Sequence, residues 1–287
     1  MNQFKFRKVR NKLFLFSLSI AAVVCLAPLI MVTSFMLQKG AASLDLDFFT
    51  KLPVPVGEAG GGMLHAILGT IYMVTLGSLM AVPLGLIGGI YLSEYGKGGI
   101  SKALRLATDV MTGIPSIIIG IFAYILLVVP FKSFSALSGA VALAIIILPV
   151  VIRSSEEILK LVPKHIREAG LALGLPRWKV ILFIIVRGNL SALFTGVMLA
   201  IARASGETAP LLFTAFGNMY LSYSPMEPMA SLPVQIYTYA ISPFEDWQRQ
   251  SWAGAFVLII LVIGVNLGAR FLMNPKALKN FLKRSSS

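Results

Sequence analysis

Residues 153–187 read RSSEEILKLVPKHIREAGLALGLPRWKVILFIIVR, a polar stretch between two long apolar runs. Four apolar residues in it recur at the spacing of one helix face, namely Leu161, Ile166, Ala169 and Leu173. Gly174 is a typical residue for ending a helix, and Pro176 suits the first turn of a new one. The stretch therefore predicts a short helix, a sharp bend and a second helix that enters a membrane, shaped to be bound by another protein. A plain solvated loop, the alternative, needs neither the apolar side nor the Gly and Pro residues.

The composition is that of an integral membrane protein. Of the 287 residues, 57% are apolar and only 13% are charged, whereas a soluble domain carries roughly a quarter charged residues. Apolar runs long enough to cross a bilayer recur along the chain. The net charge of +13 does not indicate a nucleic-acid partner, because the cations lie in blocks between apolar runs rather than on one face.

We predict an all-α fold with about six transmembrane helices, since six apolar runs approach the ~20 residues that cross the hydrocarbon core. The runs cover approximately 13–37, 65–91, 109–129, 134–152, 189–201 and 252–272. We expect the third run to hold Pro115 within one span and the fifth to continue as far as Pro210. The first run is longer than a signal peptide requires and has no cleavage site directly after it, so it is predicted to be an uncleaved span.

Basic residues are distributed unevenly between the two sides that these spans define. With the N-terminus inside, twenty of the 25 Lys and Arg residues fall on the cytoplasmic side. The other side carries Lys39, Lys51, Lys132 and Arg249, and Arg203 alone lies within a span. Because positive charge marks cytoplasmic loops, we predict a multi-pass protein of the cytoplasmic (inner) membrane with both termini and residues 153–187 in the cytoplasm.

Three segments follow from this order of spans. Residues 1–63 hold a basic cytoplasmic N-terminus, the first transmembrane helix and an outside loop. Residues 64–275 form the main transmembrane domain, with its cytoplasmic loop near 153–187. Residues 276–287 form a basic cytoplasmic tail.

The sequence has no pattern of a catalytic, nucleotide-binding or metal site. It contains no phosphate-binding loop, no HExxH motif and no nucleophile elbow. Cys25 is the only cysteine, and His65 and His165 have no partner at ligand spacing. We therefore predict a protein that is not an enzyme and binds no cofactor or metal of its own. The energy for any transport must come from a partner or an ion gradient.

Arg203 and Glu207 are the unusual residues, because ionisable groups within a span are costly and normally face the protein interior or a water path. Their spacing of four predicts one helix face and an ion pair. They mark a gate or anion relay on a transport path, or alternatively a pair that locks helix packing. The hydroxyls of Ser205 and Thr208 are able to bind an oxyanion, or instead a backbone carbonyl. Elsewhere, Gly85 and Gly89 form a GxxxG pair that lets helices approach closely.

The segment Glu168-Ala169-Gly170, followed by Gly174, resembles the EAA loop of ABC-importer permeases, whose pattern is EAA-x3-G-x9-I-x-LP. Ile184 also matches, Gly170 stands in place of the second alanine, and Val186-Arg187 replaces the final Leu-Pro. In that family the loop forms the coupling helix held in a groove of the ATPase subunit. The resemblance therefore implies that five residues couple the chain to an ATPase, namely Arg167, Glu168, Ala169, Gly170 and Gly174.

Further stretches are similar to one branch of these permeases, the phosphate-specific PstA-type permeases of the Pst system. They are IYLSEY at 90–95, GIPSI at 113–117, LPVVIR at 148–153 and ARASGETAPLLFTA at 202–215. The similarity covers about residues 60–275 and implies a type I ABC importer permease fold. It also implies a PstC-type permease, a PstB-type ATPase dimer that holds ATP and Mg²⁺, and a PstS-type phosphate-binding protein as partners. Arg203, Glu207 and Thr208 would then lie on the translocation path of inorganic phosphate.

Three other functions are compatible with parts of this sequence. A permease for another oxyanion, molybdate or sulfate, is disfavoured by the stretch GETAPLLFTA. A secondary transporter driven by an ion gradient usually has two related halves, and no convincing repeat is present. A sensor or scaffold that acts through residues 153–187 stays open as a second role.

Overall fold

The computed structural model describes residues 2–41, 43–55, 58 and 60–273, and every regular element in these ranges is a helix, as predicted. In chain order the helices are α1 (Asn2–Ala41), α2 (Leu46–Thr50), α3 (Leu64–Glu94), α4 (Gly99–Gly113), α5 (Ser116–Ala123), α6 (Val129–Phe131), α7 (Ala136–Lys160), α8 (Lys164–Ala172), α9 (Arg177–Lys179), α10 (Leu190–Ser205), α11 (Ala209–Thr214), α12 (Leu232–Ala240) and α13 (Glu245–Met273). The π-helical turns Tyr124–Val128 and Val180–Val186 connect α5 to α6 and extend α9. The predicted basic tail, with Lys276, Lys279, Lys283 and Arg284, lies outside the described residues.

Four described helices are long and apolar enough to cross a membrane, namely α1, α3, α7 and α13. Two bent pairs raise the number to six if each pair is one span. One pair is α4 with the helix Ser116–Phe131, bent by 105°, and the other is Arg177–Val186 with α10, bent by 72°. The prediction of about six spans therefore agrees with the structure when the bent pairs are counted as spans.

The predicted third span, 109–129, is wrong as a single helix. Ile114 has an extended backbone, with φ −72° and ψ 130°, and separates α4 from α5. The cause is Pro115, since a proline disfavours the helical conformation of the residue before it. Residues from Asp109 to Gly113 therefore belong to a helix that also contains Lys102 and Arg105, which precede the predicted span.

The centre of the bundle is the close and parallel packing of α3 on α7. Gly77 lies against Ala140 and Leu143, and Gly89 lies against Ser155. A Cβ at Gly85 would be 2.7 Å from the Cβ of Val151. The predicted GxxxG contact is confirmed, and α7 is the helix that uses it.

Two further apolar clusters fix the ends of this bundle. At one end, Phe48, Met63, Leu232 and Tyr239 pack α2, α3 and α12 together. At the other end, the cluster of Leu159, Val162, Val180, Ile181, Ile185 and Leu193 packs the end of α7 against the chain after α9 and against α10. We call this second end, next to α8, the α8 end and the first the far end. Outside the bundle, α1 packs along α13, where Phe35 and Trp252 rings lie 5.1 Å apart.

Gly89→Ala should destabilise the protein, because the new Cβ would lie 2.5 Å from the Cβ of Ser155 and 2.9 Å from the carbonyl oxygen of Ile152. Overpacking of this kind costs about 1–3 kcal/mol. The matched control is Gly264→Ala on α13, where a Cβ would have no neighbour within 4 Å. Thermal unfolding in detergent should show a lower midpoint for Gly89→Ala than for Gly264→Ala, and equal midpoints would contradict the packing of α3 on α7.

Candidate functional site

Lys164–Arg177, here called the coupling segment, has the predicted helix, bend and second helix. α8 ends at Ala172 with Leu173 as its C-terminal cap. Gly174 follows in the left-handed conformation, with φ +77°, which glycine adopts without a steric penalty. Pro176 then caps the N-terminus of α9, one residue before the first turn that the sequence predicted for it. The segment is therefore a rigid corner at the α8 end of the bundle.

One side of α8 packs against the bundle through Gly170. This glycine is buried, and a Cβ there would be 3.0 Å from side-chain atoms of Val180 and Ile184. Ile166 is packed against the apolar cluster of the α8 end. The glycine that replaces the second alanine of the family pattern therefore lies at a close contact between α8 and the π-helical turn.

The other side of the segment is exposed and partly apolar. Glu168 and Ala169 are exposed. Four large apolar residues in the segment or within three residues of it are also exposed, here called the apolar patch: Leu161, Leu171, Leu173 and Trp178. The prediction that Leu161, Ile166, Ala169 and Leu173 share one side is wrong for Ile166, which packs inward. Several exposed large apolar side chains in one polar segment are typical of a protein interaction site.

Arg167 is directed into the protein rather than toward solvent. Its Nη2 donates to Oε1 of Glu94 at 2.6 Å, and its Nε lies 3.1 Å from both carboxylate oxygens. It also donates to the carbonyl oxygens of Leu159 and Val162, the last turn of α7. The five residues expected to couple to an ATPase are thus divided. Glu168 and Ala169 are accessible, Arg167 and Gly170 hold α8 in place, and Gly174 shapes the corner.

Sequence reasoning missed the partners of these groups at the α8 end. Arg105 of α4 donates to Oε1 of Glu156 at 2.6 Å, and the Glu156 side chain is only 1% exposed. Lys160 lies 2.5 Å from the same oxygen. Arg177 donates to the carbonyl oxygen of Glu94 and lies over the Tyr95 ring. The available signal was the presence of Glu94 and Glu156 next to segments that are otherwise strongly basic.

Arg203 and Glu207 both line a small pocket near the middle of α7, with room for about one water molecule. The other lining residues come from the bend between α4 and α5 and from α7, namely Met111, Thr112, Ile114, Ser116, Ile119, Ile146, Pro149 and Val150. The stretches at 113–117, 148–153 and 202–215, far apart in sequence, therefore meet at one place. An arginine at this depth faces a cavity, as the cost of burying its charge in lipid requires.

The predicted helical pairing of Arg203 with Glu207 is wrong. α10 ends at Ser205, and Glu207 lies in the break before α11. Pro210 explains the break, since it has no N–H for the carbonyl four residues earlier and suits the first turn of a new helix. Both residues belong to the described part of the chain, and no ion pair joins them there.

The two hydroxyls near this pocket have different surroundings. Ser205 donates to the carbonyl oxygen of Ile201 at 2.8 Å, the backbone bond that the sequence analysis kept as an alternative. Thr208 occupies the N-cap position of α11. Within the described residues it is not part of the pocket lining, so the structure brings together only two of the three residues predicted for the path.

A larger pocket, of about 410 Å³, lies between α3, α10 and α13 and is unsuited to an anion. Its wall is mostly apolar, with Val74, Leu79 and Val265 among its residues and no charged side chain among the described residues that line it. Nor do the described residues hold a group of three or more His, Cys, Asp or Glu side chains able to bind a metal. The pocket of Arg203 and Glu207 is therefore the better candidate for a site on an anion path.

Sequence comparison matches residues 81–274 to the family described as binding-protein-dependent transport system inner membrane component. The phosphate transport system permease protein PstA of Haemophilus influenzae is 42% identical over 275 residues, covering 96% of this chain and 97% of the relative. PstA of Pasteurella multocida is also 42% identical over 275 residues, with 96% and 98% covered. PstA of Xylella fastidiosa strain Temecula1 is 44% identical over 247 residues, with 85% and 86% covered.

The fold is similar to that of solved ABC-transporter permeases. A chain of the inward-facing MetNI methionine ABC transporter matches with a TM-score of 0.61 and 16% sequence identity, covering 73% of this chain and 94% of that one. A second crystal form matches with a TM-score of 0.56 and 16% identity, covering 74% and 92%. The predicted ABC-importer permease fold is thereby confirmed.

Cysteine labelling should distinguish the two sides of the coupling segment. In a Cys25→Ser background, Leu173→Cys should react rapidly with a polar maleimide, because Leu173 is 81% exposed. Val180→Cys is the matched control, since Val180 is 2% exposed and should react only after unfolding. Similar rates for the two variants in the folded, detergent-solubilised protein would show that α8 does not pack on the bundle in this way.

Proposed function

Since the chain belongs to the family of binding-protein-dependent transport system inner-membrane components, we propose that it is a PstA-type permease subunit of an ATP-driven importer of inorganic phosphate. The observation that carries this proposal is the sequence identity of 42–44% to phosphate transport system permeases over most of the chain. The geometry supports it, because one chain presents both a surface for a partner and an arginine that lines a pocket beside the middle of α7.

The proposed orientation places the α8 end in the cytoplasm. The distribution of Lys and Arg supports it, since twenty of the 25 lie on that side. The N- and C-termini are then cytoplasmic as well, and the far end faces outward. A PstS-type phosphate-binding protein would deliver its ligand at the far end, and a PstC-type permease would complete the path through the membrane.

The coupling segment is the proposed binding site of a PstB-type ATPase dimer. Its apolar patch supplies area that gains free energy on burial, and Glu168 supplies a charge that orients the contact. ATP and Mg²⁺ bind to that partner, so the chain described here performs no hydrolysis. Arg167 and Gly170 do not contact the ATPase in this proposal, because both face the bundle.

The pocket of Arg203 and Glu207 is the proposed position on the phosphate path. The guanidinium group binds phosphate oxygens through charged N–H donors. Ser116 lies at the N-terminus of α5 and also lines the pocket, and the helix dipole adds positive potential there. Glu207 opposes the positive charge, which limits how tightly an anion is held and so favours its release. Thr208, one residue beyond Glu207, is proposed to meet the anion only as it moves away from the pocket.

Copurification tests the proposed assembly. The tagged chain, extracted from its native membrane, should bring with it an ATPase and a second permease. Glu168→Lys reverses an exposed charge on the coupling segment and should release the ATPase while the second permease stays bound. Glu245→Lys, the same change at the exposed start of α13, should release neither. Recovery of the chain alone from wild-type membranes would overturn the proposal.

Substitution of Arg203 tests the path. Arg203→Gln should lower ATP-driven phosphate uptake by at least about tenfold, because a hydrogen bond to a charged group contributes about 1.5–3 kcal/mol. Arg249→Gln, at an exposed arginine on α13, is the control and should transport at the wild-type rate. Both proteins should assemble equally with their partners. Full uptake by Arg203→Ala and Glu207→Ala would assign these residues to packing instead.

A further inference from the structure

Glu94 is a buried carboxylate in an unfavourable position. It is the last residue of α3, and its side chain is 5% exposed. The negative end of the helix dipole lies there, so a carboxylate is disfavoured by electrostatics as well as by burial. Arg167 compensates for both, with three hydrogen-bond contacts to the two oxygens. A buried ion pair is often no more stabilising than apolar residues of similar size, so a role beyond stability is worth testing for this pair.

The same Arg167 side chain also binds the end of α7. It donates to the carbonyl oxygen of Leu159 at 2.9 Å and to that of Val162 at 2.5 Å. These carbonyls belong to the last turn of α7 and the residues after it, where no further helical N–H is available. One side chain on α8 therefore joins the ends of α3 and α7, the two central helices of the bundle. With four N–H groups occupied in this way, at most one of the ~5 guanidinium donors is free for another partner.

Arg105 also binds one helix through a carboxylate and the other through backbone carbonyls, but its carboxylate is on α7 and its carbonyls are at the end of α3. It pairs with Glu156 of α7 and donates to the carbonyl oxygens of Leu92 and Gly96 at the end of α3, at 2.8 and 3.3 Å. Each helix thus offers a carboxylate to one arginine and backbone carbonyls to the other. We call Glu94, Arg105, Glu156 and Arg167 the crossed clamp.

The connection of α8 to α7 differs from its connection to α3. α8 follows α7 in the chain after only three residues, Leu161 to Pro163. α3 has no such covalent link, and it is tied to the coupling segment by Arg167 and by the bond from Arg177 to the carbonyl of Glu94. A push on α8 therefore reaches α7 through the backbone, whereas the guanidinium groups of Arg167 and Arg177 are its direct link to the end of α3.

We propose that the crossed clamp transmits movement of the coupling segment to α3, with Glu94 and Arg167 as positioning residues that couple ATP hydrolysis to transport. This inference rests on the proposed function. It assigns Arg167 a different role from the ATPase contact that its place in the EAA loop implies. Without the clamp, α3 still packs on α7 through its glycines, but the end of α3 is no longer held to α8, so less of the movement of the coupling segment reaches the path.

The test is the amount of phosphate moved per ATP hydrolysed by the complete complex in proteoliposomes. Glu94→Gln is the primary variant, because it removes the charge but keeps the size and a hydrogen-bond acceptor. Its yield per ATP should fall roughly fivefold or more, while the ATPase stays bound and continues to hydrolyse ATP. Arg167→Gln should behave alike, and the double variant should be no worse than the worse single, as expected for residues that act through each other.

The matched control is Glu157→Gln. Glu157 is next to Glu156 in the chain, but its side chain is 61% exposed and pairs at 2.9 Å with Arg153, which lies only at 3.9 Å from Glu156. Its yield per ATP should equal that of the wild type. An unchanged yield in Glu94→Gln would overturn the proposal, as would additive losses in the double variant. Failure of both single variants to assemble would also overturn it, because the pair would then be structural.

Phosphate uptake and ATP hydrolysis by the wild-type complex distinguish failure of this proposal from failure of the proposed function on which it rests. ATP hydrolysis without phosphate uptake by the wild type would overturn the proposed function, and the clamp proposal with it. Uptake by the wild type with an unchanged yield in Glu94→Gln would overturn the clamp alone.

Discussion

The structure depends on the compensation of buried charge at the end of the bundle next to α8. Glu94 and Glu156 are almost fully buried. Without Arg167, Glu94 would be an unpaired buried charge, and without Arg105, Glu156 would keep only the more exposed Lys160 and Arg153. The arginines also bind the backbone carbonyls with which α3 and α7 end. The two arginines therefore tie the ends of α3 and α7 to each other through polar contacts, and Arg167 also fixes the position of α8.

The contact between α3 and α7 in the middle of the bundle is apolar rather than charged. There α3 and α7 meet through glycines, and Gly85 and Gly89 lie directly against the side chains of Val151 and Ser155. Two helices packed so closely move together more readily than they separate. A displacement delivered at the polar end is thus carried along α7 and α3 to Pro149 and its neighbours, which line the pocket of Arg203. The small pocket, the glycine contact and the clamp all include residues of α7.

Local signals in the sequence predicted much of this arrangement. Gly174 and Pro176 predicted the corner of the coupling segment, and Gly85 and Gly89 predicted a close helix contact. Hydropathy did not reveal the bend before α5, because Pro115 interrupts the helix without interrupting the apolar run. The clamp was not predictable, since Arg105 and Glu156 are 51 residues apart and Glu94 and Arg167 are 73 apart. Such pairs form only because α3 and α7 end at the same level.

The central claim is that this chain forms part of a phosphate path and that a partner ATPase drives the transport. The most direct measurement is phosphate uptake into proteoliposomes that hold the assembled complex, with ATP supplied on the side of α8 and ion gradients dissipated by ionophores. The account predicts uptake that requires ATP and is unaffected by the ionophores. Uptake that persists without ATP and collapses with the ion gradient would contradict it and identify a secondary transporter.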